Sequence, residues 1–468
     1  MYYYRLPYIL FRDLPEHGYL SDNRHFGYDT ASNSSIKLGD RIISKSGSII
    51  YSMLTDFPQS SIEMAKKAAS IFGNVPLDVI HQDLIEFFSG LAADGFIASS
   101  EDSSHFDLPI MFSYSNTKRF DFSNKLSTHV EMDHRPQTEY YLQRVHLCIS
   151  GICNEDCIHC YFPKDEKRGL MSKELIDSII KQCRELNVLN ITISGGEPML
   201  NPLFIDFVKA CGEYNFSINI LSNLSAVTDE MVEEFSRNPL ISIQTSLYSM
   251  NEDIHDRITN RKGSFKKTKE AILKLYERDI PLHINCPIMK DNFQTYKSVL
   301  DWARSLNIGA SSDYMLFGCY DSSCSNLNCR LDHSEIASII QSKYDYSVFE
   351  SEKRQSYDPD SKICPVGTSS ICISWNGSAY PCEGWQQHTI GDIRSQSLSS
   401  IWKDSEQLNA LRALRLKDFQ TCLHCNNNQY CSICLIRNAN ESINRDFKGI
   451  NHFFCSIAEM KRLKLSNL

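Results

Sequence analysis

Between residues 144 and about 345, short apolar runs alternate with longer segments in which apolar residues recur every three or four positions. The first pattern predicts buried strands, and the second predicts helices packed on a sheet. We predict strands at 144–149, 190–194, 216–222, 240–246, 281–288 and 308–316, and helices at 172–186, 202–214, 228–237, 264–278, 293–306 and 333–343. Six strand–helix units in series indicate an α/β fold, a parallel sheet that closes partway into a (β/α)6 TIM-like barrel.

The first hundred residues follow a different pattern. Alternating aromatic runs at 2–4, 8–11, 18–20 and 25–28 predict a small antiparallel meander. Helices are predicted at 49–54, 62–72 and 76–91, the last with an apolar stripe formed by Val79, Leu84, Ile85, Phe87, Phe88 and Leu91. With a closing strand at 95–97, this order of elements predicts a winged-helix-like domain over residues 1–100.

Composition suggests where one part of the chain ends and the next begins. Residues 101–140 are rich in Ser, Asp, Asn and His, which predicts a linker. The barrel is then expected over 141–345. Residues 346–468, which hold eight cysteines between 364 and 455, are expected to form a Cys-rich C-terminal domain.

Charge and hydropathy exclude several classes of function. The 468 residues carry a net charge of about −9, so there is no basic excess to neutralise the phosphates of a nucleic acid. No run of 18 apolar residues and no signal-peptide pattern is present, which predicts a cytoplasmic protein without a membrane partner. In that compartment, 18 cysteines are expected to bind metals rather than to form disulfides.

Three cysteines follow the first predicted barrel strand directly. Cys153, Cys157 and Cys160 have the spacing C-x3-C-x2-C. Three thiolates on one loop can hold three corners of a cubane iron–sulfur cluster and leave the fourth iron open, whereas a structural zinc needs a fourth ligand. An incomplete zinc knuckle, or chance in a Cys-rich chain, is the alternative.

A glycine-rich turn follows the second predicted strand. Gly195 and Gly196 let the backbone approach a ligand closely, the carboxylate of Glu197 can accept from an ammonium group, and Pro198 fixes the turn. Like the cysteine loop, this turn lies at the carboxyl end of a strand, where parallel sheets bind their ligands.

Together, the two motifs resemble the radical S-adenosylmethionine (SAM) superfamily. The resemblance implies that the open iron is chelated by SAM and that the GGEP turn binds the SAM amino group. Many members carry an aromatic residue where this chain has His159, a position whose backbone is expected to contact adenine. The resemblance also implies SAM contacts by Tyr161, by Ser222, Asn223 and Ser246 at later strand ends, and by an arginine, either Arg257 or Arg261. The two arginines could equally be solvated loop charges.

The C-terminal cysteines resemble a SPASM domain, which carries two auxiliary four-iron clusters. Three cysteines are assigned to the first auxiliary cluster, Cys364, Cys382 and Cys434, and four to the second, Cys422, Cys425, Cys431 and Cys455. Zinc ribbons are the competing explanation for the C-x2-C pairs. With the cluster at Cys153, Cys157 and Cys160, the resemblance implies three 4Fe-4S clusters.

The remaining cysteines receive weaker expectations. Cys319, Cys324 and Cys329 could supply an active-site thiol or a cluster ligand, or could be incidental. Cys372 lies in an alternating strand-like run and is expected to be packed among apolar residues. The other four fall in strand or helix patterns and are expected in the core: Cys148, Cys183, Cys211 and Cys286.

The N-terminal domain resembles the peptide-recognition domain of peptide-modifying enzymes, in which a leader peptide adds a strand to the sheet edge beside the third helix. Together the three domains resemble maturases of ribosomally made peptides. The resemblance implies an enzyme that cleaves SAM to a 5′-deoxyadenosyl radical, takes a hydrogen from a precursor peptide and forms a crosslink, with a thioether favoured over a carbon–carbon bond. A flavodoxin or ferredoxin-type protein is the expected electron donor.

The alternatives to this function are an anaerobic sulfatase-type formylglycine maturase, which has no need of residues 1–100, and a non-catalytic partner that delivers peptide or electrons.

Overall fold

The structure, a computed structural model, describes residues 1–22, 40–73, 75–101, 103, 140–163, 166, 168–341, 358–364 and 366–466. The predicted linker at 101–140 therefore lies almost entirely outside the described residues. So do the apolar run at 25–28 and the end of the helix predicted at 333–343. None of the helices described is long and apolar enough to cross a membrane.

The N-terminal part consists of two small antiparallel sheets and three helices. Its elements are β1 (Tyr2–Arg5), β2 (Ile9–Asp13), β3 (His17–Asp22), β4 (Asp40–Ser44), α1 (Lys45–Ser52), β5 (Gln59–Ser60), α2 (Ser61–Phe72), α3 (Leu77–Ala93) and β6 (Ile97–Ser100). Strands β2, β3 and β4 form a meander, whereas β1 pairs with β5 and β6. These elements share a hydrophobic core of their own, which includes Tyr3, Leu84 and Phe88.

Three details of the N-terminal prediction are wrong. Strand β1 is not part of the meander because it pairs with β6, nearly a hundred residues away, and local alternation does not encode that pairing. Helix α1 begins at Lys45 because the Ser44 side chain caps it by accepting from the Gly47 amide at 3.1 Å. Val79, placed in the buried stripe of α3, is 44% exposed.

The barrel follows the predicted alternation closely. Its elements are β7 (Arg144–Ser150), α4 (Lys173–Glu185), β8 (Asn190–Gly195), α5 (Phe204–Glu213), β9 (Ser217–Leu221), α6 (Asp229–Arg237), β10 (Ile241–Ser246), α7 (Glu252–Thr259), α8 (Ser264–Glu277), β11 (Leu282–Pro287), α9 (Tyr296–Ser305), β12 (Gly309–Asp313) and α10 (His333–Gln341). Strands β7 to β12 are parallel and lie side by side in chain order, which confirms the α/β prediction.

Helix α7 was not predicted, because its residues were interpreted as a loop before the next helix. It begins after Asn251, whose side chain accepts from the Ile254 amide at 3.3 Å, and it ends at Asn260 in the left-handed conformation. Both residues are ordinary helix-end signals, so the sequence contained the information.

The C-terminal part extends the barrel sheet. Its elements are β13 (Ser370–Ser374), β14 (Ser378–Tyr380), β15 (Gly391–Asp392), α11 (Leu398–Asp404), α12 (Glu406–Ala413), α13 (Gln420–Leu423), α14 (Leu435–Glu441) and α15 (His452–Ser466). Strand β13 pairs in parallel with β7, and β14 and β15 continue outward to give nine strands. Residues 398–413 form two helices rather than one, because Ser405 ends α11 and caps α12.

The barrel core extends into the C-terminal part. Ile401, Leu408 and Phe454 belong to the same buried cluster as Leu147 and Ile193 of the barrel strands. A second, smaller cluster, which includes Trp385 and Leu416, surrounds the Cys-rich loops. The C-terminal residues are therefore held to the barrel by shared apolar burial as well as by the β7–β13 pairing.

One buried arginine joins the N-terminal part to the barrel. Arg12 of β2 is fully buried, and its guanidinium donates to the Val188 carbonyl at 2.9 and 2.7 Å and to the Asn215 carbonyl at 2.8 Å. The Asn215 side chain accepts from the Phe11 amide at 2.9 Å and donates to the Ile9 carbonyl at 3.2 Å. The outer edge of β2 is thus covered, which leaves β4 as the other edge of that sheet.

Candidate functional site

The cysteine loop lies where β7 ends and is held against α7. The amide of Asp156 donates to the Thr259 carbonyl at 3.0 Å, and the amide of Ile158 to the Ile258 carbonyl at 2.9 Å. Burial raises the pKa of the Cys157 thiol, and the neighbouring groups Glu155, Cys160 and Cys153 raise it further. The loop therefore gathers three neighbouring thiols, of which Cys157 cannot easily ionise alone, and a cationic iron cluster would stabilise this donor set as thiolates.

The GGEP turn packs directly on the backbone of the cysteine loop. The amide of Gly196 donates to the Ser150 carbonyl at 2.7 Å, and the amide of Glu197 to the Ile152 carbonyl at 2.8 Å. A Cβ on Gly195 would lie 2.1 Å from the Ser150 oxygen, and one on Gly196 would lie 2.4 Å from the Ile152 oxygen. Both glycines are therefore required by the approach of two protein segments, besides any approach of a ligand.

Glu197 is buried and bonded within the chain. Its carboxylate accepts from the Ser222 hydroxyl at 2.8 Å, the Asn223 amide at 2.8 Å and the Met199 amide at 3.1 Å. Burial raises the pKa of Glu197 to about 7 despite these donors. The side chain thus ties the GGEP turn to the end of β9, and its predicted contact with the SAM ammonium stays a prediction.

Asn223 connects the end of β9 to the cysteine loop. Its side chain donates to Asn154 Oδ1 at 2.9 Å and accepts from Ser225, while its carbonyl accepts from the Thr268 hydroxyl at 2.9 Å. Asn154 also donates to the Ser225 hydroxyl at 2.8 Å. Sequence reasoning placed Ser222 and Asn223 at this edge but missed Asn154 and Ser225, whose only signal was their nearness to the two motifs.

Tyr248 is a further residue that sequence reasoning missed. Its hydroxyl lies 2.9 Å from Nε2 of His159, the residue just before the third cysteine. Burial raises the pKa of Tyr248, Cys157 and Glu155 raise it further, and a hydrogen bond from Ser246 lowers it, so Ser246 lies beside the same hydroxyl. The signal was its position two residues after the predicted end of β10.

Three other residues, Tyr161, Arg257 and Arg261, were predicted to contact SAM. Burial raises the pKa of Tyr161, and the neighbouring Glu383 raises it further, so Tyr161 is enclosed. Arg257 is 58% exposed and bonded to Asp291 at 2.9 Å. Arg261 is exposed and follows the left-handed Asn260. Contacts of these three residues with SAM stay predictions.

The C-terminal cysteines gather in the two predicted groups. Burial raises the pKa of Cys364 and of Cys382, and Cys434 raises both further, so these three thiols are neighbours. Burial also raises the pKa of Cys422 to about 11, and the groups that raise it further are Cys431, Cys455 and Cys425. Each donor set fits an iron–sulfur cluster, with three and four thiols respectively.

The loop after β12 holds three cysteines whose thiols donate to backbone carbonyls. Cys319 donates to Cys160 at 3.5 Å, Cys324 to Asn440 at 3.6 Å and Cys329 to Asn326 at 3.1 Å. These contacts favour the alternative of incidental thiols that help to pack the loop. A cavity of about 720 Å³ lies between this loop and the cysteine loop, lined by Cys157 and Cys160 among others.

Comparison with known proteins identifies two domains. Residues 147–303 match the radical SAM superfamily, and residues 364–426 match the SPASM iron–sulfur cluster-binding domain. The chain therefore contains a radical SAM domain and a SPASM domain. It is an enzyme, and its cofactors are SAM and iron–sulfur clusters, as predicted.

Two curated relatives are similar in sequence. The AdoMet-dependent heme synthase of Methanosarcina barkeri (strain Fusaro / DSM 804) is 24% identical over 320 residues, 62% of this chain and 90% of that protein. The sporulation killing factor maturation protein SkfB of Bacillus subtilis (strain 168) is 30% identical over 166 residues, 35% of this chain and 40% of that protein.

Solved structures share the fold at low sequence identity. SuiB of Streptococcus suis bound to precursor peptide SuiA has a TM-score of 0.62 and 15% identity, and the match covers 98% of this chain and all of that one. The anSMEcpe structure with bound AdoMet has a TM-score of 0.54 and 16% identity, over 70% of this chain and 94% of that one. The first match includes the N-terminal part, and the second covers a smaller share of the chain.

Proposed function

We propose that the protein is a peptide maturase that removes two hydrogen atoms from a ribosomally made precursor peptide and joins a cysteine sulfur to a carbon. The main observation in support is the N-terminal part, which has its own hydrophobic core and is fixed to the barrel through Arg12 and Asn215. In its meander, β4 forms the edge strand opposite β2. An enzyme acting on a small free substrate has no need of such a part.

The exposed face of β4 supports peptide binding by strand addition. Arg41 of β4 forms an ion pair at 2.7 Å with Asp94 at the end of α3, so this edge lies beside the third helix. Ile42 is 47% exposed, which leaves an apolar side chain for an added strand to cover. The whole-length likeness to SuiB, whose structure holds its precursor peptide, agrees with this proposal.

The residues of the barrel supply position and enclosure. The cluster and SAM, when bound, supply the electron and the 5′-deoxyadenosyl radical that takes hydrogen from the substrate. Cys153, Cys157 and Cys160 hold the cluster, and the Gly195–Gly196 backbone provides the close surface for SAM. The hydroxyl of the buried Tyr248 contacts the ring of His159 and so holds the cysteine loop against the barrel.

The test is an anaerobic reaction with SAM, a reductant and a short Cys-containing peptide encoded by a neighbouring gene. We expect 5′-deoxyadenosine together with a peptide lighter by two hydrogen atoms, with the crosslinked cysteine no longer alkylated. A peptide variant with Ser in place of that Cys should not be crosslinked. Deoxyadenosine without any change in peptide mass would refute this substrate class, and a carbon–carbon bond would refute the thioether.

The second candidate is a sulfatase-type formylglycine maturase, which the likeness to anSMEcpe favours. It predicts an aldehyde that reacts with a hydrazine probe, and it predicts no need for the β4 edge. The third alternative, a non-catalytic partner, is set aside because residues 147–303 match the radical SAM superfamily and the three cysteines and the GGEP turn are all present. A flavodoxin or ferredoxin-type reductant stays a prediction, which reduction of the clusters by either purified protein would test.

A further inference from the structure

A second group of metal-binding side chains lies on the inner face of the barrel sheet. Along β7, Val145, Leu147 and Ile149 pack into the main core, so His146 and Cys148 point to the opposite face. On the neighbouring strand β13, Cys372 is in register with His146 and lies on that same face. None of the three belongs to the predicted cluster ligands.

The three side chains converge on one point. A ring nitrogen of His146 and the sulfurs of Cys148 and Cys372 all lie within 4.8 Å of one another. The two sulfurs are 3.7 Å apart, and both cysteines are buried. Two thiolates on one tetrahedral zinc, at about 2.3 Å from the metal, stand about 3.8 Å apart. In a cubane cluster each cysteine binds a different iron, which requires a wider separation.

The ring of His146 is already oriented by its neighbours. Its Nε2 is in hydrogen-bond contact with the Ser194 hydroxyl, and its Nδ1 lies 4.0 Å from the Glu383 carboxylate. Metal-bound histidines usually donate their other ring N–H to a nearby acceptor, which fixes the tautomer. Ser194 lies beside Nε2 and Glu383 beside Nδ1, so whichever ring nitrogen binds the metal, the other has an acceptor nearby.

The sequence concealed this group because its members resemble core residues. Cys148 and Cys372 were both expected to be buried among apolar side chains, and both are buried. However, they form a small separate cluster with Tyr380 rather than joining the main core. The pairing of β13 with β7, which brings Cys372 to Cys148 across more than 220 residues, was not predictable from either segment.

We propose that His146, Cys148 and Cys372 bind one zinc ion inside the barrel, with a fourth coordination position open. Imidazole and thiolate donors suit zinc. Three protein ligands are typical of zinc sites that bind water or a substrate atom in the fourth position. The site lies between the cysteine loop and Cys382 of the first predicted auxiliary cluster. Tyr161, next to Cys160, is close to Cys148 and Cys372, and Cys372 is close to Cys382.

A substrate thiolate is the ligand that the fourth position would take, and this role rests on the proposed function. Zinc would keep the cysteine sulfur of the peptide deprotonated, with the thiol proton released to solvent. When the carbon–sulfur bond forms, the hydrogen of that carbon has left on 5′-deoxyadenosine, and the one remaining electron would pass to an auxiliary iron–sulfur cluster. The metal site itself does not depend on the peptide, so the two parts can fail separately.

The first experiment measures metal in the full chain, purified and cluster-loaded without oxygen and then given one equivalent of Zn²⁺. We expect one zinc beside undiminished iron, and an X-ray absorption spectrum at the zinc edge with two sulfur and one imidazole ligand. An absence of tightly bound zinc overturns the proposal. So does a zinc with four sulfur ligands, which would mean zinc in a vacant cluster site.

The second experiment uses variants with a matched control. Cys148→Ala with Cys372→Ala, and separately His146→Ala, should lose zinc and keep their iron. Cys183→Ala removes an equally buried thiol from α4, where it packs in the main core, and should keep both metals. Zinc retained by the first two variants overturns the proposal. If those variants fail to fold, the wild-type absorption spectrum still decides it.

The substrate role has its own readout. Adding the precursor peptide to the zinc-loaded enzyme should raise the number of sulfur ligands on zinc from two to three, and a Cys→Ser peptide should not. No change with the Cys peptide overturns the thiolate role while leaving the zinc site intact. Failure of the proposed function appears differently, as no change in peptide mass in an enzyme that still binds zinc.

Discussion

At the scale of single residues, Gly195 marks the close approach of the GGEP turn to the backbone of the cysteine loop. It has a φ of 142°, and an added Cβ would overlap the Ser150 carbonyl oxygen. The motif that contains it is usually explained by ligand contact, yet here the backbone of the cysteine loop already requires glycine. The positions of the GGEP turn and of the cysteine loop are therefore coupled through the contact at Gly195.

Gly195→Ala should therefore uncouple the two loops. An overlap of this size costs at least about 2 kcal/mol, so we expect peptide-free formation of 5′-deoxyadenosine to fall at least about tenfold. Gly90→Ala is the control, because Gly90 lies in helix α3 with no atom within 4 Å of the added Cβ. Equal activity of both variants with equal iron content would contradict the coupling.

His283 on β11 should make stability depend on pH. Its ring lies 2.8 Å from the Ser311 hydroxyl, and burial lowers the pKa of His283 to about 4. The unfolded histidine, with a pKa of about 6.5, binds a proton more readily. The stabilisation is therefore fully present above pH 6.5 and is lost as the pH falls toward 4. Between pH 7.5 and 5.5 the loss is about 1 kcal/mol in the free energy of unfolding.

The measurement compares urea unfolding of the cluster-loaded wild type and of His283→Gln at both pH values without oxygen. Glutamine can still bond to Ser311 but cannot become charged in this range. We expect the variant to lose about 1 kcal/mol less than the wild type on acidification. Other titrating groups act equally in both proteins, so parallel losses would contradict the assignment.

At the scale of elements, the proposed recognition of the peptide depends on strand β4. One edge of β4 pairs with β3, and the opposite edge of the sheet, formed by β2, is covered by Asn215. An added strand would therefore pair with the second edge of β4.

Ile42→Glu should weaken precursor-peptide binding at least about tenfold, because a strand added beside β4 would have to desolvate the new charge. Fluorescence anisotropy of labelled peptide measures the affinity. The control is Ile71→Glu on α2, a position that is 56% exposed. Peptide-free SAM cleavage should be unchanged in both. Equal affinities of the two variants would exclude β4 as the docking edge.

At the scale of the whole molecule, the proposed function requires the N-terminal part to keep a fixed position on the barrel, so that a bound peptide can reach the cluster. Arg12 is the main polar connection, because its buried guanidinium donates to two carbonyl groups of the barrel. The barrel has a separate core and does not need this contact to bind SAM.

Arg12→Ala should therefore lower the ratio of crosslinked peptide to 5′-deoxyadenosine while peptide-free SAM cleavage persists. Each carbonyl left unsatisfied costs about 1–3 kcal/mol, enough to loosen the junction. Arg304→Ala, which removes an exposed arginine bonded to Asp301 at 2.7 Å, is the control and should keep the wild-type ratio. A wild-type ratio in Arg12→Ala would show that the junction does not direct peptide.

The sequence by itself determined the local features. Apolar periodicity predicted the six strand–helix units, because burial on a parallel sheet imposes that period on each segment separately. The spacing of Cys153, Cys157 and Cys160 predicted an iron–sulfur site, because thiols on one loop are close whatever the rest of the fold does. The resemblance carried by these cysteines and by the turn at Gly195–Pro198 predicted SAM.

Only the tertiary structure decided which distant segments meet. It paired β1 with β6 and β13 with β7, it joined Arg12 to Val188, and it brought Cys372 to Cys148 and His146. The physical reason is that these contacts depend on the packing of whole elements, whose energies are summed over many side chains. No pattern within a single segment records which partner its exposed edge or inner face will find.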